Sequence, residues 1–189
     1  MFTLLHEGSK DEAYFLFHGT GGNDFQLLRV MEELNPNATI IGVKATEGVG
    51  SNRRYFSPLI NGQLDRKDFE SNINGFMEEW KKRGFAFKKN VFLGYSNGAN
   101  FIIGIIEKYP HIMSQAILLH PSNLNYHFEV ESGMKVIMTS GATDNLALPG
   151  DVLKLKETMN NYYKNLTYFL FDGGHELTEV EIKAIKDSL

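Results

Sequence analysis

Six short apolar runs alternate with helix-like segments, and this alternation limits the fold more than any other feature of the sequence. The runs are rich in β-branched or aromatic residues and are bounded by polar residues or glycine, as expected for buried strands. They cover residues 13–17, 39–43, 91–95, 115–119, 135–139 and 166–171. Strands that alternate with helices predict right-handed β-α-β crossovers, and therefore an α/β fold with a mostly parallel sheet and helices on both faces.

Helix signals lie between the runs. Apolar residues recur at helical spacing between Asp65, a suitable N-cap, and Gly84, a suitable helix stop. Thr178 is followed three residues later by Glu181, which is a capping-box pattern and predicts that the last helix begins there. Further helices are predicted near residues 24–34 and 151–162, and after the run that ends at residue 95.

Composition excludes several classes of protein. The 189 residues, 42% of them hydrophobic, predict a single domain over residues 1–189. The net charge of -4 comes from basic and acidic residues that are mixed along the chain, so nucleic acid is not an expected partner. The absence of cysteine excludes disulfides and thiolate metal sites. With no signal-peptide pattern and no apolar stretch near ~20 residues, we expect a cytoplasmic protein without a membrane span.

The most informative motif interrupts the most apolar region of the chain. Gly94-Tyr95-Ser96-Asn97-Gly98 fits G-x-S-x-G, with a predicted strand before it and a predicted helix after it. Side chains at the two glycines would collide with the neighbouring backbone, and the helix would direct free amides toward the serine. The same residues could form a simple turn, so Ser96 is a nucleophile only if a base and an acid accompany it.

Four histidines follow Ser96, and His175 is the expected base. It lies after the last predicted strand on a glycine-containing loop, in agreement with the order serine, acid, histidine. His111 follows a helix at the opposite end of the sheet, where a surface residue is expected. His120 lies at the end of a strand and could line the pocket, but it precedes every candidate acid.

Asp144 is the expected acid because it follows a strand by a short turn and precedes the next helix. Asp172 is an alternative, but a carboxylate three residues before His175 on the same loop has difficulty reaching the ring. Asp151 is placed for capping or for the first turn of a helix.

A glycine-rich loop after the first run, His18-Gly19-Thr20-Gly21-Gly22, is the expected second half of an oxyanion hole. Its glycines allow backbone to approach a substrate, and Thr20 is the candidate amide donor beside the amide of Asn97. The loop could instead cradle phosphate, but it lacks a Walker lysine and places Asp24 where a dinucleotide fingerprint requires a small residue.

The segments "HGTGGND", "LGYSNGAN", "GATD" and "DGGHELT" together resemble the α/β-hydrolase superfamily from Tyr14 to the end of the chain. The similarity is greatest to the small phospholipase/carboxylesterase group, which includes acyl-protein thioesterase-like and dienelactone-hydrolase-like enzymes, and within it to bacterial carboxylesterases associated with hydroquinone or catechol resistance. The resemblance implies a six- or seven-stranded sheet without a lid domain, a catalytic triad of Ser96, Asp144 and His175, oxyanion donors at Thr20 and Asn97, no cofactor or metal, and often a homodimer.

The segment "SNRRYFSP" stands where this group often has basic and aromatic residues. We therefore expect Arg54, Tyr55 and Phe56 to line the substrate pocket together with Gly21 and His120. The other interpretation of the segment is a solvated basic loop.

These patterns predict a serine hydrolase that cleaves small carboxylic esters or thioesters through an acyl-enzyme. The absence of long insertions predicts an open, shallow site that prefers short acyl groups. Two alternatives remain: a non-hydrolytic, lyase-like enzyme of the same fold, and a catalytically silent binding protein.

Overall fold

A computed structural model describes residues 1–189 and contains a seven-stranded sheet with helices on both faces. The strands are β1 (Phe2–His6), β2 (Glu12–Phe17), β3 (Thr39–Val43), β4 (Lys89–Tyr95), β5 (Gln115–Leu119), β6 (Lys135–Gly141) and β7 (Leu166–Phe171). The helices are α1 (Leu28–Leu34), α2 (Arg66–Arg83), α3 (Asn97–Lys108), α4 (Pro149–Asn160) and α5 (Glu179–Asp187). The predicted α/β fold is confirmed.

The strands are arranged in the order β1-β3-β2-β4-β5-β6-β7. Only β1 is antiparallel to its neighbour, and the other six strands run parallel. The carboxyl ends of six strands therefore meet along one edge of the sheet, which is where ligands of such sheets bind.

The sheet separates two hydrophobic clusters, and β2 shows how one strand contributes to both. Ala13, Phe15 and Phe17 pack into the larger cluster with side chains of α2, α3 and α4. Tyr14 and Leu16 point to the opposite face and pack with side chains of α1 and α5. Because successive strand residues face opposite sides, a central strand covered on both faces is apolar along its whole length.

Both edge strands differ from the prediction. No strand was predicted over β1, in which Phe2 is buried but Leu4 is 60% exposed. The prediction that the last run is a buried strand was wrong, because β7 pairs only with β6 and each of its residues retains some solvent exposure. The apolar pattern of β7 predicted a strand correctly but not its place at the edge, whereas the short β1, which is partly exposed, was too weakly patterned to be predicted.

Local signals fixed the ends of two helices as predicted. The Asp65 side chain accepts a hydrogen bond from the Asp68 amide at the start of α2, and Gly84 ends the helix with φ of 61°. Thr178 and Glu181 form the capping box of α5. Among the helices, none combines the length and the apolar composition that crossing a membrane would require.

Candidate active site

Ser96 occupies a strained turn between β4 and α3. Its φ of 52° and ψ of -113° lie outside the regions that a non-glycine residue normally adopts. A Cβ at Gly94 would lie 2.7 Å from the Ala99 nitrogen, and one at Gly98 would lie 2.1 Å from the Phe17 oxygen. The glycines are therefore required by the close approach of helix, turn and neighbouring strand, which explains why this apolar region is interrupted.

The structure brings Ser96, His175 and Asp144 into one hydrogen-bonded chain. Ser96 Oγ lies 2.9 Å from His175 Nε2, and His175 Nδ1 lies 2.6 Å from Asp144 Oδ2. Since a carboxylate oxygen only accepts hydrogen bonds, Nδ1 carries the proton and Nε2 is left as the acceptor for the serine hydroxyl. This arrangement can remove a proton from Ser96.

The Asp144 carboxylate is buried and fully hydrogen-bonded. Its Oδ1 accepts from the amides of Leu146 and Ala147, each at 2.8 Å, and its Oδ2 accepts from His175 and from His120. Burial alone would raise the pKa of Asp144, but these hydrogen bonds outweigh burial and hold the pKa below its usual range. The acid therefore remains ionised and keeps the His175 ring in one orientation.

The loop that carries His175 is held against the end of β6. The Tyr95 hydroxyl donates to the His175 carbonyl oxygen at 2.8 Å. A Cβ at Gly141, the last residue of β6, would lie 2.0 Å from the Gly174 oxygen, so this loop is in backbone contact with the end of β6. Tyr95 was not among the predicted site residues, because the motif constrains its neighbours and leaves its own position free.

His120 lies behind Asp144 and connects it to Glu181. Its Nδ1 is 3.1 Å from Asp144 Oδ2 and its Nε2 is 3.2 Å from Glu181 Oε2, and all three side chains are buried. A neutral ring can donate only one of these hydrogen bonds, so with both carboxylates ionised the ring is protonated. Burial lowers the pKa of His120, but the hydrogen bonds and charges of Glu181 and Asp144 outweigh burial and raise it.

The side chains of His120, Asp144 and His175 are close enough to share a cation, since their candidate ligand atoms lie within 4.8 Å of one another. Each ring nitrogen, however, already has its own hydrogen-bond partner: Nδ1 of both rings faces Asp144, and the two Nε2 atoms face Ser96 and Glu181. The contacts therefore describe a hydrogen-bonded chain.

The glycine-rich loop is fixed by a second buried histidine. His18 Nδ1 donates to the Gly19 carbonyl oxygen at 2.7 Å, and its Nε2 accepts from the Ala45 amide at 3.2 Å. The Gly19 amide donates to Gln26 Oε1 at 2.8 Å. Burial lowers the pKa of His18, although the hydrogen bond to Gly19 opposes this. The neutral ring satisfies both partners.

The two amides predicted to form the oxyanion hole take part in none of the backbone hydrogen bonds of the loops and helix caps. The amides of Thr20 and Asn97 donate to no backbone oxygen there, although both residues border the same cavity as Ser96. Asn97 begins α3, whose first amides lack partners within the helix. Two free donors are thus available beside the serine.

The cavity beside Ser96 has a volume of about 120 Å³. Its walls come from the glycine-rich loop, from α3 and the turn before it, and from the long connections that follow β3 and β5. The lining residues are Thr20, Arg54, Phe56, Leu59, Ser96, Asn97, Asn100, Ser122 and Leu124. Leu59, Asn100, Ser122 and Leu124 were not predicted, because their positions depend on how these connections fold.

Three residues predicted to line the pocket lie elsewhere. His120 is behind Asp144, as described above. The Gly21 amide donates to the Arg53 carbonyl oxygen at 2.8 Å, which ties the glycine-rich loop to the connection after β3. Tyr55 is buried beneath that connection, because its hydroxyl has partners inside the protein.

Tyr55 joins three parts of the site. Its hydroxyl donates to the Val43 carbonyl oxygen and accepts from the His18 amide at 3.1 Å. Its own amide donates to Asn97 Oδ1 at 2.8 Å. The ends of β2 and β3 and the beginning of α3 are therefore connected through one residue, by its hydroxyl and its backbone amide.

Comparison with known proteins identifies similar hydrolases. The chain is 27% identical over 190 residues to a Bacillus subtilis (strain 168) protein described as "Putative hydrolase MhqD", covering 97% of this chain and 95% of that protein. A carboxylesterase structure from Bacillus cereus is 26% identical with a TM-score of 0.86, covering 99% of this chain and 91% of that one. No protein-family model matches the chain.

A carboxylesterase structure from Mesorhizobium loti has the same fold, with a TM-score of 0.85 at 22% identity over 98% of this chain and 97% of that one. The comparisons confirm the predicted resemblance to bacterial carboxylesterases of the α/β-hydrolase superfamily. They also support the prediction of an ester hydrolase.

Proposed function

Because the chain is similar in sequence and fold to bacterial carboxylesterases, we propose that it is a serine carboxylesterase that cleaves small carboxylic esters or thioesters through an acyl-enzyme. The observation that carries the proposal is the chain of contacts from Ser96 Oγ through His175 to Asp144. The strained turn that holds Ser96 supports the same conclusion.

In the first half of the reaction, Ser96 Oγ attacks the carbonyl carbon while His175 Nε2 accepts the hydroxyl proton. The negative charge that develops on the carbonyl oxygen is stabilised by the amides of Thr20 and Asn97. The bond to the leaving group then breaks, and His175 gives the proton to the departing alcohol or thiol. Asp144 holds the protonated ring in place throughout.

In the second half, a water molecule attacks the acyl-enzyme and His175 removes its proton. Collapse of the second tetrahedral intermediate returns that proton to Ser96 and releases the carboxylic acid. The reaction consumes one water and requires no cofactor.

The small cavity supports a preference for short acyl groups. A space of about 120 Å³ with Phe56, Leu59 and Leu124 among its walls accommodates a few methylene groups. We expect kcat/KM for p-nitrophenyl esters to be highest for acetate or butyrate and to fall with longer chains. An increase that continues to long acyl chains would contradict this preference.

The proposal is tested by treating the protein and a Ser96→Ala variant with a fluorophosphonate probe and weighing both by mass spectrometry. The wild type is expected to gain the mass of one adduct, and Ser96→Ala to gain none. The same two proteins are then assayed with p-nitrophenyl acetate, where Ser96→Ala should lose more than about 10³-fold of kcat.

Each outcome distinguishes the alternatives. The absence of an adduct on the wild type would overturn the proposal and favour a silent binding protein. An adduct without hydrolysis of any ester would favour a lyase-like enzyme that uses the same serine.

A further inference from the structure

The cavity beside Ser96 contains a single charged side chain. Of the residues that line it, only Arg54 is ionisable, and the others are small polar or apolar residues. No carboxylate forms an ion pair with Arg54, although nine other basic residues, two of them histidines beside Asp144, do have acidic partners. The cavity therefore has an uncompensated positive charge.

The guanidinium of Arg54 is also under-used as a hydrogen-bond donor. Its Nη2 donates to Thr20 Oγ1 at 3.3 Å, which is a long contact, and its Nε is shielded from solvent without any partner. A shielded donor without a partner is uncommon in folded proteins, because its lost hydration is not repaid. Nη1 has no partner within the protein, so the terminal edge formed by Nη1 and Nη2 is the one that a carboxylate can bind with two parallel hydrogen bonds, with the weak contact to Thr20 given up.

The backbone of Arg54 is held firmly. Its amide and carbonyl oxygen both pair with Glu47, at 2.9 and 3.1 Å, and the amide of the next residue, Tyr55, is bound by Asn97. Since Asn97 follows Ser96 directly, Arg54 keeps a fixed position relative to the nucleophile. A side chain that extends from a fixed backbone position has fewer conformations to lose on binding.

The neighbouring Arg53 also lacks an ion pair, but its charge is directed away from the cavity. Its Nη1 donates to the Gly22 carbonyl oxygen at 3.2 Å and it is not among the residues that line the cavity. One guanidinium next to a small cavity matches one negative charge, which favours a carboxylate over a phosphate dianion.

We propose that Arg54 binds a carboxylate on the substrate, so that the physiological ester is short and carries an anionic group at one end. This inference rests on the proposed function and specifies its substrate class. The carboxylate belongs either to the acyl part, as in the monoester of a dicarboxylic acid, or to the alcohol part, as in an O-acylated hydroxy acid. Both have the same recognition chemistry.

Two matched pairs of esters test the proposal and distinguish these sources. Ethyl hydrogen succinate is compared with ethyl succinamate for the acyl part, and acetoxyacetate with acetoxyacetamide for the alcohol part. In each pair, a carboxylate is replaced by an amide of nearly the same shape. We expect wild-type kcat/KM to favour the anionic ester of at least one pair by about 10- to 100-fold, as for a hydrogen bond between charged groups.

Arg54→Gln should bring this ratio close to 1 by slowing the anionic ester much more than the amide ester. Arg54→Lys should keep part of the preference, because an ammonium is a point charge and lacks the two-donor edge. Arg83→Gln, at the exposed end of α2, removes the same charge far from the cavity and should leave the ratio unchanged. The Tm of Arg54→Gln should equal or exceed that of the wild type, since no ion pair is lost.

Equal rates for the two members of both pairs in the wild type would overturn the proposal. An equal fall in both rates in Arg54→Gln would also overturn it, because Arg54 would then act on the oxyanion and not on a substrate carboxylate.

Binding to the Ser96→Ala protein separates this inference from the proposed hydrolysis. The four compounds are titrated into Ser96→Ala and Ser96→Ala/Arg54→Gln, and binding is followed by NMR. If the anionic compounds bind only when Arg54 is present, the carboxylate site is supported even when the wild type hydrolyses nothing. If p-nitrophenyl acetate is hydrolysed but binding does not depend on Arg54, the hydrolase is supported and the carboxylate site is wrong.

Discussion

His18 and His120 occupy similar places but have opposite electrostatic environments. Each follows a parallel strand at the carboxyl edge of the sheet, and each is 1% exposed. Burial disfavours the charged form of both rings, yet the pKa of His18 is lowered and the pKa of His120 is raised. The depth of burial therefore does not determine the charge of either ring.

The partners of the two rings explain the difference. His18 meets one carbonyl oxygen and one amide, so it needs one donor and one acceptor and is satisfied when neutral. His120 meets two carboxylates, Asp144 and Glu181, and needs two donors. The first ring is satisfied when neutral, whereas the second can donate to both of its partners only when it is protonated.

The largest effect is expected from His120→Leu, which removes the cation between Asp144 and Glu181. Asp144 would keep its hydrogen bonds to His175, Leu146 and Ala147, but the buried Glu181 side chain would lose its ring partner, and we expect a loss of about 3–5 kcal/mol in the free energy of unfolding. Urea denaturation measures this loss. Should His120→Leu fail to fold, His120→Gln, which keeps an amide donor, provides the smaller change on the same scale.

The Glu181→Gln variant is the matched control for that prediction. Adding it to His120→Leu replaces the buried carboxyl that has lost its ring partner by a neutral amide and should restore part of the lost stability, while glutamine preserves the capping box of α5. A loss below about 1 kcal/mol in His120→Leu would mean that the ring carries no charge in the folded protein.

A smaller effect is expected from His18→Leu. The Gly19 carbonyl and the Ala45 amide would lose their partners, which should cost about 1–3 kcal/mol without any electrostatic component. Urea denaturation under the same conditions measures this loss, which should be smaller than that of His120→Leu. A loss in His18→Leu that equals or exceeds the loss in His120→Leu would contradict the comparison.

The smallest effect is expected on how the free energy of unfolding depends on pH, where His18 and His120 act in opposite directions. The raised pKa of His120 contributes stability that is complete below the unfolded value of 6.5 and is lost as pH rises through the folded pKa. The lowered pKa of His18 contributes stability that is complete above 6.5 and is lost as pH falls through the folded pKa. Each unit of pKa difference corresponds to about 1.4 kcal/mol.

Denaturation curves of His120→Gln and His18→Gln from pH 5 to 9 measure both slopes. His120→Gln should flatten the decline in stability above pH 6.5, and His18→Gln should flatten the decline below it. Asp144, whose lowered pKa lies at more acidic pH, does not titrate in this range. A curve for His120→Gln that runs parallel to the wild type above pH 6.5 would contradict the assignment of the charge.

The fold could be predicted from the sequence wherever burial was complete. The runs that became β3 and β5 have the predicted bounds because all of their residues are buried and apolar residues dominate. The edge strand β1 could not be found in the same way, since the exposure of Leu4 and the burial of Phe2 depend on pairing with β3.

The residues of the site likewise fall into those that could be predicted from the sequence and those that could not. Ser96, Asp144 and His175 could be predicted as a group because each follows a strand and their order along the chain matches a known arrangement. The contact between His120 and Glu181 joins residues 61 positions apart, and the sequence signal of Glu181 is fully explained by its role in a helix cap. The environment of Arg54 depends on the fold of a long connection, whose path no local pattern specifies.

The position of Tyr55 has a consequence for how this site can diversify. Its hydroxyl attaches the connection after β3 to the ends of β2 and β3, and its amide attaches it to Asn97 at the start of α3. Arg54 and Phe56, on either side of Tyr55, line the cavity. Under the proposed function, we expect substitutions at these two neighbours to change substrate choice while the anchor between them keeps Ser96 and the glycine-rich loop in place. Residues 54 and 56 are therefore the natural starting positions for redesign of this protein.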